Sequence, residues 1–274
     1  MPTSKTIGKN PGFLLQELLF KMFPLDSKPS FLTQMDDILR TDGEFSQLVY
    51  QSCINYMVRR LITTAEFKLR YCEEQWPADP RSKFIIQLRK FLIEDLHITN
   101  VKQREQIIAF LNDSVNTSRK RPSDSNKRSV RDHAKRHGLY CYICGEEMDF
   151  DRADVVNSAE LEHLWPRALG GSNADFNYMA ACSRCNKKKD DYIDASDHHY
   201  EEICLVIDED HVEFEDTLSW RYRMALYAKS NYRCYRCDKP ASRVGKMRFV
   251  RRNRNDSWHF LNIDAYCENC SSRM

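Results

Sequence analysis

Eight of the chain's 11 cysteines fall in four Cys-x-x-Cys pairs: Cys141/Cys144, Cys182/Cys185, Cys234/Cys237 and Cys267/Cys270. With no export signal in the chain, pairs at this spacing read as zinc ligands before disulfides. They make two frames, C-x2-C-x37-C-x2-C and C-x2-C-x29-C-x2-C, and so call for two structural Zn2+ ions. Four thiolates saturate a tetrahedral ion and leave no open position for water, so these cysteines should not be catalytic. The reactive groups must lie elsewhere in the first frame. His163 stands there, 19 residues after Cys144 and 19 before Cys182, directly behind Glu162. Pro166 and Gly170-Gly171 mark a turn-rich loop after a short strand. Asn177 follows, Asn186 comes directly after the last cysteine, and Lys187, Lys188 and Lys189 open a helix. An imidazole that titrates near neutrality suits a general base. A carboxylate and an amide oxygen suit a hard cation.

This ordered set resembles the HNH endonuclease family, whose ββα-metal motif runs Cys-x-x-Cys, acidic-His, x-x-Pro, Gly-Gly, Asn, Cys-x-x-Cys-[Asn/His]-x-x-Lys. The likeness covers about 141–189, roughly a fifth of the chain. It implies phosphodiester hydrolysis with His163 as general base. By the same resemblance Glu162 and Asn186 would hold one catalytic divalent ion, Mg2+ or Mn2+. Asn177 would pin the loop behind His163, and Lys189 would neutralise charge developing on phosphate. Arg167 and Lys187 are further candidates for phosphate contact. The family usually places Asp where this chain has Glu162, and Glu is one methylene longer. Neighbouring strand residues point to opposite faces, so Glu162 and His163 share a site only where the strand ends or bulges. Glu160 is the alternative ligand. An N-cap ahead of the lysines is the alternative role for Asn186.

The elements around this segment suggest an α+β chain. Residues 1–117 read as a helical domain that recognises a partner or forms a homodimer. Apolar residues recur at helical spacing from Phe13 to Met22, over about 31–40, from Glu44 towards Pro77, over 81–96 and over 101–112. Residues 118–131 read as a basic linker, 132–193 as the HNH unit, 194–219 as an acidic segment and 220–274 as a second zinc unit. Cys53, Cys72 and Cys204 stand outside the pairs and read as buried small apolar side chains.

The second unit looks like a duplicate: AKRHGLYCYICGEEM (134–148) resembles AKSNYRCYRCDKP (228–240), and Asn262 precedes Cys267 by five residues as Asn177 precedes Cys182. Nothing between Cys237 and Cys267 repeats the acidic-His pair, His259 comes too late in the frame, and Ser271 replaces Asn186. This copy should bind zinc without cleaving. Its insert 239–256 carries seven Lys/Arg against one Asp, with Phe249 inside it and Trp258 and Phe260 beyond. Lys246, Arg248, Arg251, Arg252 and Arg254 therefore read as nucleic-acid contacts with aromatic stacking beside them. Docking onto the acidic 190–216, which has twelve acids and no Lys/Arg, is the intramolecular alternative.

The net charge of +2 implies little, and two filled four-cysteine sites would turn it to −2, since two ions add four charges and eight thiolates remove eight. No run is apolar enough to span a membrane, and the expected location is cytoplasmic. The leading function is a nuclease acting on DNA in preference to RNA, in the manner of effectors of prokaryotic antiviral or restriction defence. The rivals are a non-catalytic zinc module binding nucleic acid or protein, and a structured-RNA nuclease.

Overall fold

The computed structural model describes residues 9–25, 31–205 and 211–273. Five helices form first: α1 (Pro11–Met22), α2 (Phe31–Leu39), α3 (Glu44–Gln75), α4 (Pro80–Lys90) and α5 (Val101–Ser118). Proline at its first turn opens α1, and Pro24 closes the apolar run that follows. The α3 helix runs 32 residues, about 48 Å at 1.5 Å per residue, and ends before Pro77. Asp79 caps α4 by accepting from the Ser82 amide. That helix continues as one wider turn through Phe91–Asp95, and α5 outruns the expected 112 to Ser118. Leu15, Leu19, Val58, Leu61, Leu69, Phe84, Leu88, Leu111 and Val115 build the core of these helices. Two members of this core come from far along the chain, Trp165 and Leu169.

Residues 118–131 are not a tether. A sixth helix, α6 (Asp124–Arg136), starts inside them on a reciprocal capping box between Ser123 and Asn126. Charge dominates its composition, yet Val130 and Ala134, four residues apart, give it one apolar stripe. Ala134 is buried and Val130 packs beside it on the second core. Two apolar side chains were too few to stand out against eight Lys/Arg in 119–137.

The rest of the chain shares that second core. Strands β1 (Ala159–His163) and β2 (Tyr178–Cys182) pair antiparallel, with Ala159 opposite Cys182 and His163 opposite Tyr178, and α7 (Ser183–Lys189) follows directly. After it come β3 (Cys204–Leu205), α8 (His211–Thr217), α9 (Trp220–Lys229), α10 (Ala241–Val244), β4 (Met247–Arg251), β5 (Trp258–His259), β6 (Ile263–Cys267) and α11 (Glu268–Ser271). β4 and β6 pair in the same register as β1 and β2, with Met247 opposite Cys267 and Arg251 opposite Ile263. The hairpin, the paired cysteines and the short helix therefore occur twice. The first knuckle touches the second unit at the end of α10: a Cβ on Gly145 would lie 1.9 Å from the Gly245 carbonyl oxygen.

The acidic segment is built into this core. Ala195, Ile203, Phe214 and Leu218 are buried in it, β3 pairs with β5, and the Phe214 ring stacks on Trp258 at 4.0 Å. Of the three lone cysteines Cys72 is buried, whereas Cys53 and Cys204 are exposed. Among the described residues no helix is long and apolar enough to cross a membrane.

Candidate functional site

The sulfurs of Cys141, Cys144, Cys182 and Cys185 all lie within 4.8 Å of one another, and all four residues are buried. Cys234, Cys237, Cys267 and Cys270 gather equally closely, with Cys237 and Cys270 part-exposed. Tetrahedral zinc with Zn–S bonds of about 2.3 Å separates its sulfurs by about 3.8 Å, and the Cys237 and Cys267 sulfurs are 3.9 Å apart. Both donor sets fit zinc. The first frame ties the β1–β2 hairpin to the knuckle, because the Cys182 amide also donates to the Cys141 sulfur at 3.3 Å.

The α7 helix lies on one face of β1 and brings Asn186 and Lys189 over the two glutamates of that face. Asn186 Nδ2 donates to Glu160 at 2.6 Å. A carboxylate only accepts, so the amide nitrogen faces Glu160 and leaves Asn186 Oδ1 as the donor atom for a cation. Lys189 Nζ donates to Glu162 Oε1 at 3.0 Å and to the His163 carbonyl at 2.9 Å. Tyr142 Oη donates to Glu162 Oε2 at 2.7 Å. Lys189 is 1% exposed and Glu162 3%. The assignment of Lys189 to substrate phosphate is thus corrected: its ammonium is buried against Glu162 and a backbone carbonyl and is not open to a substrate.

β1 ends at His163, and there the strand's two faces meet. His163 lines an open cleft of about 230 Å3 together with Glu162, Arg167, Asn186, Lys187 and Asp190. Its ring stands edge-on to Tyr178 at 5.1 Å. Its Nε2 is 3.0 Å from Asn173 Oδ1. Burial pushes the imidazole below its ordinary 6.5, partly countered by Asn173 and by the Glu162 charge, so the ring is neutral at pH 7. Asn177 is fully buried and holds the loop at three points: Oδ1 accepts from the Trp165 amide at 2.8 Å, and Nδ2 donates to the carbonyls of Trp165 (3.1 Å) and Ser172 (3.0 Å).

Residues 141–198 match the HNH endonuclease family model.

The HNH segment so delimited includes the whole cleft and reaches Asp197, which with Asp191 pairs with Arg59 of α3 at 2.7 Å each. Searches of curated proteins and of solved structures gave no match.

Superposing the two hairpins by register shows what the second unit has lost. Val250 stands where the HNH segment has Glu162, Arg251 where it has His163, and Ser271 follows the last cysteine. Besides the cysteines and the hairpin, the loop anchor survives: Asn262 Oδ1 accepts from the Asn253 amide at 2.9 Å, and Nδ2 donates to the carbonyls of Asn253 (3.0 Å) and Ser257 (2.9 Å).

The expected nucleic-acid contacts are mostly engaged inside the molecule. Arg167 donates to the Ser118 carbonyl at the end of α5. Arg248 pairs with Glu215 at 2.9 Å, so the acidic segment does dock on the basic insert. Arg252 pairs with Asp264 and, at 2.7 Å, with Glu44 of α3. Arg251 donates to the Asp256 carbonyl and covers Trp258. Phe249, Trp258 and Phe260 are buried, which removes them as stacking platforms. Lys187, Lys246 and Arg254 lie at the surface, Lys187 on the cleft itself.

Sequence reasoning missed three contributors: Tyr142, Asn173 and Asn10. Tyr142 sits inside the first Cys-x-x-Cys, where a fully buried phenol needs a polar partner. Asn173 follows Gly170-Gly171-Ser172, and no pattern marks it. Asn10 precedes a helix, where it reads as an ordinary cap.

Proposed function

We propose that this protein is a metal-dependent endonuclease that hydrolyses phosphodiester bonds, of DNA in preference to RNA. The observation that carries the reading is the convergence of His163, Glu162 and Asn186 on one open cleft beside a buried four-cysteine frame. Glu162 and Asn186 would hold the ion, with Glu160, Tyr142 and Lys189 fixing their orientation. The bound divalent ion would supply positive charge to the phosphate oxygens during the displacement. With Nε2 engaged by Asn173, the lone pair of a neutral His163 lies on Nδ1, which accepts a proton from the attacking water. Water adds to phosphorus and the bond to the 3′ or 5′ oxygen breaks. Lys187 reaches the phosphate as a point charge at the mouth of the cleft. DNA is preferred because the family resembled acts mostly on it. A role as an effector of prokaryotic antiviral or restriction defence rests on the same likeness.

The test is cleavage of supercoiled plasmid and of total RNA with Mg2+ or Mn2+, wild type beside His163→Ala, with zinc counted in both. General-base loss predicts a fall of about 10²–10⁴-fold at unchanged zinc. A zinc-loaded wild type that cleaves neither substrate, or a His163→Ala variant as active as wild type, overturns the reading.

A further inference from the structure

The loop that orients His163 is not completed by the HNH segment alone. Asn10 lies at the N-cap of α1, in extended conformation, where an asparagine normally accepts from an amide of the first helical turn. Its side chain makes no such bond. It turns outward instead. Asn10 Oδ1 accepts from the Ser172 amide at 2.8 Å, and Nδ2 donates to Asn177 Oδ1 at 3.3 Å. Asn10 is 0% exposed. Ser172 is thereby gripped on both sides, its amide by Asn10 and its carbonyl by Asn177. The next residue is Asn173, which meets His163 Nε2.

From these contacts, and resting on the nuclease reading above, we propose that Asn173 is a positioning residue that holds His163 as its Nε2–H tautomer, and that Asn10 of the helical region positions Asn173 through Ser172. The helical region is then part of the catalytic apparatus and more than a partner-binding appendage. A neutral imidazole has one lone pair, and its location is set by the hydrogen bond at the other nitrogen. An acceptor at Nε2 keeps the proton there and leaves Nδ1 to work as base. Without Asn173 the ring loses that preference and can rotate about its own bond. Without Asn10 the part-buried Ser172 amide loses its acceptor, and the loop shifts to satisfy it.

The second copy supports the division of labour. Asn262 repeats the Asn177 grip on its own loop. Arg251, however, occupies the histidine position there, so the loop anchor persists where no base needs orienting. Asn177 is thus the generic part of the device. Asn10 and Asn173 are the parts specific to the unit that carries a histidine.

The full-length protein would be labelled with 15N-histidine, and the ring signals of His163 assigned by their loss in His163→Ala. At pH 8, where the ring is neutral, wild type should show the Nε2–H tautomer. Asn173→Ala should shift His163 towards a mixture of tautomers and lower kcat by 10-fold or more, with KM changed less than 2-fold. Asn173→Asp keeps an acceptor and should restore the tautomer. Asn10→Ala should move the same His163 signals in the same direction by a smaller amount, with a smaller loss of kcat. Zinc content and thermal unfolding report whether each variant is folded. Retention of the wild-type tautomer in a folded Asn173→Ala, or unmoved His163 signals in a folded Asn10→Ala, overturns the proposal. The tautomer is read without turnover, so a wild type that cleaves nothing refutes the nuclease reading while the positioning claim is still decided. A wild type that does cleave, but no faster than Asn173→Ala, refutes the positioning claim alone.

Discussion

Gly12→Ala should destabilise a helix that alanine would ordinarily strengthen. Gly12 lies in the first turn of α1, and alanine in a helix interior is favoured over glycine by about 1 kcal/mol. Here, however, the added Cβ would fall 1.7 Å from the Leu169 carbonyl oxygen and 2.6 Å from Trp165 Nε1. Real Cβ contacts essentially never come within 3.0 Å, so α1 and the 165–169 turn must part by about 1.3 Å. The Leu169 carbonyl is backbone, and it already accepts from Trp165 Nε1 at 2.7 Å, so no flexible side chain can absorb the displacement. Overpacking of this kind costs about 1–3 kcal/mol, which outweighs the gain in helix propensity. The same turn leads through Gly170-Gly171 to Ser172 and Asn173, so the displacement reaches His163. A misplacement of about 1 Å at a reacting group costs on the order of 100-fold in rate. The assay is urea unfolding beside plasmid cleavage. Gly12→Ala should lower the unfolding midpoint and reduce kcat by at least 10-fold. A variant that is more stable and fully active would refute the claim that α1 is seated directly on the active-site turn.

Lys189→Ala should destabilise the zinc-loaded protein by about 3–5 kcal/mol in urea unfolding without added Mg2+ or Mn2+, because it leaves Glu162 charged and buried; the double variant Lys189→Met/Glu162→Gln should cost less than the single one. Burial holds His198 down at about 3, below its ordinary 6.5. The unfolded chain therefore takes up a proton below pH 6.5 that the folded chain refuses. The stability in question is whole above 6.5 and falls by up to about 1.4 kcal/mol per pH unit below it, so His198→Phe should flatten the stability profile between pH 6.5 and 5. Because both four-cysteine frames lie in one core, stripping zinc with a strong chelator should abolish near-ultraviolet circular dichroism of both units in a single transition. Two separated transitions would refute a shared core.

Much of the site was legible because metal chemistry constrains residue type and order. The first frame and the place of His163 could be read from spacing, and the family resemblance implied the grip of Asn177. The helices before Pro77 followed from strong apolar periodicity. What stayed hidden depended on contacts between distant parts of the chain. Nothing local to Lys189 says that its ammonium is buried against Glu162, since a lysine at that spacing fits a phosphate equally well. Composition placed Arg248, Arg252 and Trp258 on a binding surface, whereas Glu215, Asp264 and Phe214 claim them in the fold. The α6 helix was concealed by its charge. Asn10, 162 residues from its partner Ser172, carries no local mark of its role.

The burial of Trp165 and Leu169 among the first five helices has a consequence for how the chain is made. Synthesis delivers the helical region first, yet its interior has two vacant seats until residue 169 has emerged. Those seats are the sockets for the turn that leads into the loop beside His163. The nascent helices thus wait, incomplete, for the part they will help to organise, and the candidate site cannot assemble ahead of the scaffold beneath it. A chain truncated before residue 165 would have an open-cored bundle, and one truncated after Cys185 would contain the two side chains that fill it. Fusing the segment 141–198 to another carrier would reverse the exposure, leaving an indole and a leucine on the surface to drive self-association.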